Sequence, residues 1–282
     1  MATPFEKISP TAWGVLYRMV FSDILYTPEI FEELQAMVQE TRTPAELAEL
    51  EKLKYQELTP VFEARYKLVE RLLKQNGIKQ IFELAAGFSP HGITLAQDPS
   101  VQYIEFDLPS VTREKKKIVE NLVAKAKIKA TGNVHFIEGD ALNQQDISGA
   151  IKSFEEKSIA VVNEGLLRYL TFEQKEILAR SIHNLLERFG GIWITPDINL
   201  TTHYGGLPSG KINQIGGMDT SKNLFEDEAA AQSFFEKLGF TVERHPFSEV
   251  VAELVSPRKL GLSSEQVSAM INGMVVFVMK IK

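Results

Sequence analysis

Four apolar runs in this chain end in groups that can do polar chemistry. "IFELAAGFSPHG" (residues 81–92) carries Glu83, Gly87 and Ser89; "QYIEFD" ends on Asp107, "VHFIEGD" on Asp140, and "SIAVVNEG" holds Glu164. Gly87 removes the side chain where a backbone must touch a ligand. The turn lacks the second glycine of G-x-G-x-x-G and the Gly-Lys-Ser/Thr ending of a P-loop, so a phosphate cradle is disfavoured. Ser89 can cap a following helix with Pro90 at its first position. Asp107, twenty residues beyond Gly87, is placed to accept hydrogen bonds from two ribose hydroxyls. It would equally cap a helix starting at Pro109. Asp140 falls where an adenine amino group would lie, or caps the next helix. Glu83 could fix the turn or face a cationic group, and Glu164 ends an apolar run where a carboxylate needs a partner. Three acids at consecutive strand exits suit a ligand with ribose, amine and sulfonium groups and suit a polyphosphate poorly.

These residues need a scaffold that lines up their strand ends. Candidate strands begin near 81, 102, 134, 158, 191, 240 and 274, with helical patterns in most of the gaps. The clearest is "TFEQKEILARSIHNLLERFG", which Gly190 ends. Such alternation predicts a mostly parallel sheet covered on both faces by helices. From Phe31 to Gln75 the spacing of Leu47, Leu50, Leu53, Leu68 and Leu72 is helical instead. Thr43-Pro44 starts one helix and Asn76-Gly77 stops another. Residues 1–76 are therefore expected as a helical cap or lid, and 77–282 as the sheet domain. The run "REKKKIVENLVAKAKIK" reads as a solvated helix face with Ile118, Leu122 and Val123 turned inward.

Composition narrows the rest. The chain has 282 residues, 44% hydrophobic and 24% charged, with 31 basic and 37 acidic side chains and a formal net charge of -6. That balance argues against nucleic acid as the main partner. With no cysteine, thiolate catalysis and Cys-ligated zinc are excluded, and no metal site is expected. No apolar run approaches ~18 residues, so no membrane span is expected. A cytoplasmic enzyme or binding protein is the default expectation.

Together, "ELAAGFSPHG", "YIEFDLPSV", "EGDAL" and "NEGLLRYL" resemble the class I S-adenosylmethionine-dependent methyltransferases, in particular the leucine carboxyl methyltransferase-like group. The resemblance covers roughly residues 60 to 198 and implies a Rossmann-like seven-stranded, mostly parallel sheet with an antiparallel last strand, plus the N-terminal helical cap. It implies S-adenosylmethionine as cofactor, with Glu83 and Gly87 at the turn and Asp107 and Leu108 at the ribose. It puts Asp140 and Ala141 at the adenine, Glu164 in the "NEGLL-YL" motif, and Arg65 on the cofactor carboxylate. Without that resemblance Arg65 could be a surface helix residue. "ELAAG" departs from the commoner Gly-Ala-Gly, and "GDAL" lacks the Asp-Leu-Arg of enzymes acting on a protein tail, so their substrate does not transfer.

The implied activity is O-methylation of a carboxylate or hydroxyl on a small molecule. A hydroxyl acceptor benefits from a base, for which Asp197, His203 and Tyr204 are the candidates. Tyr17, Tyr169 and Tyr204 are candidates for acceptor contact, each with an apolar ring and a polar tip. Three segments are expected to cover the pocket: the N-terminal section, residues 199–223, and residues 248–272. Two rival classes are a nucleotide-cofactor oxidoreductase on a similar sheet and an inactive cofactor-binding regulator.

Overall fold

The computed structural model describes residues 9–130, 132–201 and 220–282. Seven strands form one sheet: β1 (Gln80–Leu84), β2 (Gln102–Asp107), β3 (Val134–Glu138), β4 (Ile159–Asn163), β5 (Gly191–Thr195), β6 (Phe240–Pro246) and β7 (Val275–Ile281). Their order is β3-β2-β1-β4-β5-β7-β6, and β7 runs antiparallel to both of its neighbours. The winding direction reverses between β1 and β4, which pair in parallel from Gln80↔Ile159 to Leu84↔Asn163. A ligand crevice is expected beyond the carboxyl ends at that reversal.

Before the sheet come α1 (Ser9–Met19), α2 (Thr27–Thr41), α3 (Pro44–Glu51) and α4 (Thr59–Asn76). Thr43 and Glu46 form a reciprocal capping box at the start of α3, and Gly77 ends α4 at φ +65°. After β1 follow α5 (His91–Leu95), α6 (Pro109–Ala124), α7 (Gln144–Ala150) and α8 (Phe172–Phe189). A second capping box, Thr171 with Gln174, starts α8. The last helices are α9 (Glu228–Lys237), α10 (Ser256–Leu260) and α11 (Ser264–Ile271).

One face of the sheet buries Phe82, Phe106, Val161 and Trp193 against α7, α8 and α9. The other buries Ile81, Tyr103, Val162 and Ile194 against Leu68, Val69 and Leu72 of α4. Each such leucine contributes about 2 kcal/mol by leaving water. That packing corrects the boundary expected at residue 76: α4 is a layer of the sheet domain. Only α1 to α3 stand apart from the sheet, sharing a core of Trp13, Ile30 and Leu34 with Phe88, Val111 and Ile118 of the α5–α6 flank.

A second expectation also changes. The 248–272 connection does not cover the strand exits; Phe247, Val250 and Ile271 pack onto the α4 side of the sheet. Its backbone is pinned there by the buried Glu63, which accepts from Val255 N at 2.8 Å and Ser256 N at 2.9 Å.

Candidate functional site

A single pocket collects the carboxyl ends of β1 to β4 with α1, α4 and the turn after β4. Its lining includes Arg65, Glu83, Gly87, Asp107, Leu108, Asp140, Ala141, Glu164 and Tyr169, all expected from the sequence. Gly87 adopts φ +54°, in the left-handed region, and Ala85 just before it does the same at φ +53°. Alanine resists that region by roughly 1–2 kcal/mol, so the turn is held by its surroundings. One holding contact is Asp107, whose Oδ2 accepts from Gly87 N at 2.7 Å while Oδ1 accepts from Leu108 N at 2.7 Å. Asp107 thus staples the exit of β1 to that of β2, and still lines the pocket. Burial pushes its carboxyl up to about 6 against the pull of these two N–H donors. Asp140 Oδ1 accepts from Leu142 N at 2.9 Å and shapes the exit of β3.

Behind the turn lies a buried polar network that sequence reasoning found only in part. Glu164 Oε1 is 2.7 Å from His91 Nε2, and Glu164 Oε2 is 2.8 Å from Arg65 Nε. Burial would raise the Glu164 carboxyl, but the Arg65 charge and the His91 contact outweigh it and hold it below the usual range. His91, expected only to shape the turn, is fully buried and stacks on Tyr66 with ring centroids 3.8 Å apart. Glu83 Oε2 accepts from the Tyr103 hydroxyl at 2.9 Å, while its Oε1 has no hydrogen-bond partner.

Glu105, one strand over, is the register partner of Glu83. It pairs with Lys115 Nζ at 2.8 Å, both groups being almost fully buried. A Cβ at Gly92 would collide with the Glu105 carboxylate, so that glycine makes room for the network. Lys115 was read as part of a solvated face. Its position was legible: Val111, Lys115, Ile118 and Leu122 form one helical stripe, and all four are buried.

Glu83 gives a pH test. Burial pushes its carboxyl to about 8; His91 opposes this, and Glu105 and Glu164 add to it. A carboxyl raised in the folded state favours the protonated form there, so its stabilising contribution is present below about pH 4.5 and fades as pH rises through 8. Glu83→Gln fixes the neutral form. Urea unfolding should show the variant gaining on the parent by a few kcal/mol (order of magnitude) between pH 5.5 and 9. A difference independent of pH would reject this reading of Glu83.

Four expected residues take other roles or lie outside the described residues. Asp197 is corrected from a base to a clamp. Its Oδ1 accepts from Gly165 N at 2.6 Å, and Oδ2 from Asn163 Nδ2 and Leu166 N at 2.7 Å each and from Leu167 N at 3.1 Å. A carboxylate so engaged fixes the loop that carries Glu164. Tyr17 is corrected from acceptor contact to packing: it stacks on Trp13 at 5.9 Å and meets Phe21 and Phe31, and is absent from the pocket lining. His203 and Tyr204 lie outside the described residues. Tyr169 does reach the pocket, its hydroxyl donating to Thr11 Oγ1 at 3.2 Å.

The far end of the 199–223 segment is tied to the same wall. Lys175, buried beneath it, donates from Nζ to the carbonyls of Leu170 and Asn223. Asn223 Nδ2 in turn donates to the Arg168 carbonyl at 3.2 Å. The two ends also meet: Phe225 N donates to Asn199 O and Thr201 N to Phe225 O, each at 2.9 Å.

The residues fit an adenosyl amino acid. Asp107 retains lone pairs for ribose hydroxyls, Gly87 gives backbone access, and the unpartnered buried Oε1 of Glu83 is a ready acceptor for an ammonium.

Comparison with known proteins agrees. The sequence model of the leucine carboxyl methyltransferase family matches residues 18–183. A DUF574 family protein from Streptomyces avermitilis superposes with a TM-score of 0.58 at 16% identity, over 96% of this chain and 97% of that one. Magnesium protoporphyrin IX methyltransferase from Synechocystis, solved with bound S-adenosylhomocysteine, gives 0.52 at 11% identity, over 88% and 100%. An O-methyltransferase family protein from Burkholderia thailandensis gives 0.50 at 11%, over 80% of this chain but 60% of that one. No curated protein matches the chain. The match over more than half the sequence, on a seven-stranded sheet whose reversal point carries this pocket, shows that the chain belongs to the leucine carboxyl methyltransferase family of S-adenosylmethionine-dependent methyltransferases.

Proposed function

We propose that the protein transfers a methyl group to an oxygen, carboxylate or hydroxyl, of a small-molecule acceptor. The observation that supports this most is the convergence on one pocket of the Asp107–Gly87 staple, the Arg65–Glu164 pair and a wall from α1. Bound cofactor supplies an activated methyl on positively charged sulfur. The chain's own task is to hold acceptor and cofactor aligned and to exclude water.

In this reading Asp107 holds the ribose, Asp140 and Ala141 face the adenine, and Glu83 and Arg65 face the ammonium and carboxylate ends. Tyr169, with the α1 residues Thr11, Val15 and Met19 on the same lining, contacts the acceptor. The helices α1 to α3 act as the cover. An ionised carboxylate acceptor needs no base; a hydroxyl acceptor would draw on His203 or Tyr204.

Turnover with methyl-tritiated cofactor and a panel of small carboxylic acids and phenols tests the proposal. A methyl ester releases labelled methanol in mild alkali, and an ether does not. Label transfer to oxygen in neither class, or only to nitrogen acceptors, would overturn the reading.

A further inference from the structure

Two groups in the buried network behind the turn have no settled charge. Arg65 answers Glu164 and Lys115 answers Glu105, so the charges of those four cancel. Glu83 and His91 remain, 1% and 0% exposed. Glu83 Oε2 accepts from Tyr103, while Oε1 has no partner and the residue lines the pocket. His91 lies behind that lining. Its Nε2, 2.7 Å from Glu164, donates to that carboxylate. The lone pair of a neutral ring therefore sits on Nδ1, which also lacks a partner. Each group has one bare atom that can carry a proton.

An uncompensated charge is costly in such an interior. The cluster is neutral when Glu83 and His91 hold one proton between them, on either group. With the site empty, burial raises the Glu83 carboxyl to about 8; His91 opposes this, and Glu105 and Glu164 add to it. Near neutral pH the proton therefore rests on Glu83. For His91, burial acts to lower the pKa, but the hydrogen bond and charge of Glu164 overcome it, and the charges of Glu83 and Glu70 raise it further. Glu105 also faces His91 from β2, and Glu70 is itself paired with Lys74. His91 lies flat on Tyr66 of α4, ring centroids 3.8 Å apart and planes within 2°. An aromatic face so placed favours a cation over it. His91 thus gains hold on a proton as Glu83 loses one.

We infer that Glu83 and His91 share one proton, held by Glu83 in the empty site and by His91 once an ammonium has docked against Glu83. The inference rests on the reading above, in which Glu83 faces the ammonium end of the cofactor. The Glu83 O–H breaks, an N–H forms on His91 Nδ1, and the new carboxylate pairs with the ammonium. No other bond changes, and the network keeps its net charge. His91 touches no ligand. It is a positioning residue, which lets Glu83 ionise without leaving an odd charge behind the turn.

Calorimetry on the full chain at pH 7.5, in buffers of different ionisation enthalpy, counts the protons exchanged with solvent. At that pH Asp107, at about 6, is already ionised and adds none. S-adenosylhomocysteine should release no proton from the parent, because the proton stays inside. It should release about one from His91→Asn, where Glu83 has no internal acceptor. 5′-Methylthioadenosine, the same nucleoside without the ammonium, should release none from either protein. Ring 15N spectra of the parent give a second measure should His91→Asn fail to fold. His91, identified by replacing the other four histidines singly, should pass from the neutral to the doubly protonated pattern with S-adenosylhomocysteine. It should stay neutral with methylthioadenosine, and with either ligand in Glu83→Gln, whose amide cannot ionise. Direct repulsion by the arriving ammonium would drive His91 the other way, so the sign is diagnostic. A proton released by the parent, or a His91 ring that ignores S-adenosylhomocysteine, overturns the inference. So does a folded His91→Asn that binds the ligand and releases nothing. A parent protein that binds neither nucleoside would instead reject the cofactor reading.

Discussion

Asp107→Ala is expected to lower affinity for S-adenosylhomocysteine on the order of 10- to 100-fold, the equivalent of about 1.5–3 kcal/mol for a lost charge-assisted contact. The structure adds a reason beyond the ribose. The same carboxylate accepts from Gly87 N and Leu108 N, so its loss frees the turn that approaches the ligand. Asparagine should be a poor rescue. It has one acceptor oxygen, and its NH2 would face one of the two N–H donors. Asp107→Asn is therefore expected to bind nearly as weakly as the alanine variant. Acid should mimic both variants, since the carboxyl sits at about 6 and binding should weaken as pH falls below that value. Calorimetry at pH 7.5 and 5.5 checks the set; unchanged affinity in Asp107→Ala would remove Asp107 from the site.

The largest stability effect is expected at Lys115. Removing one partner of a buried ion pair costs about 3–5 kcal/mol, because the other charge is left unpaired in a low-dielectric interior. Lys115 and Glu105 are 1% and 3% exposed, and Glu83 stands beside Glu105 in the sheet register. Lys115→Met should thus be severely destabilised in urea, more so at pH 8 than at pH 5.5, where Glu105 can take up a proton. The double variant Lys115→Met/Glu105→Leu should recover most of the loss, since a well-packed apolar pair of similar volume is often neutral. If the double variant were as unstable as the single, the pair would not be the source of the cost.

The seven strands, the start of α3 at Thr43-Pro44 and the stop at Gly190 were legible because each is a local signal: alternation of run types, a cap residue, a breaker. The cofactor side of the pocket was legible too, since a parallel sheet places successive strand ends side by side. Pairings across the fold were less so. Periodicity puts Lys115 on a buried stripe but does not say that Glu105, on a neighbouring strand, meets it. Asp197 stood after a strand like the other acids, and only the tertiary path of the β4 exit turns three backbone N–H groups toward it. Tyr17 sits on a helix buried on more than one side, where spacing cannot tell which face meets the pocket and which meets Phe31.

The stitched ends of the 199–223 segment have an evolutionary meaning. Asn199 and Thr201 are bonded directly to Phe225, and Lys175 anchors the return at Asn223. The chain between them therefore leaves and re-enters the scaffold at nearly one point. Closing such a loop depends only weakly on its length, about 0.6 kcal/mol for each doubling. Stretches of different size and chemistry can then be exchanged at this point while the sheet, the turn and the buried network stay as they are. On the proposed reading, in which this segment helps to cover the acceptor, a lineage could change its acceptor by exchanging the residues between these two anchors.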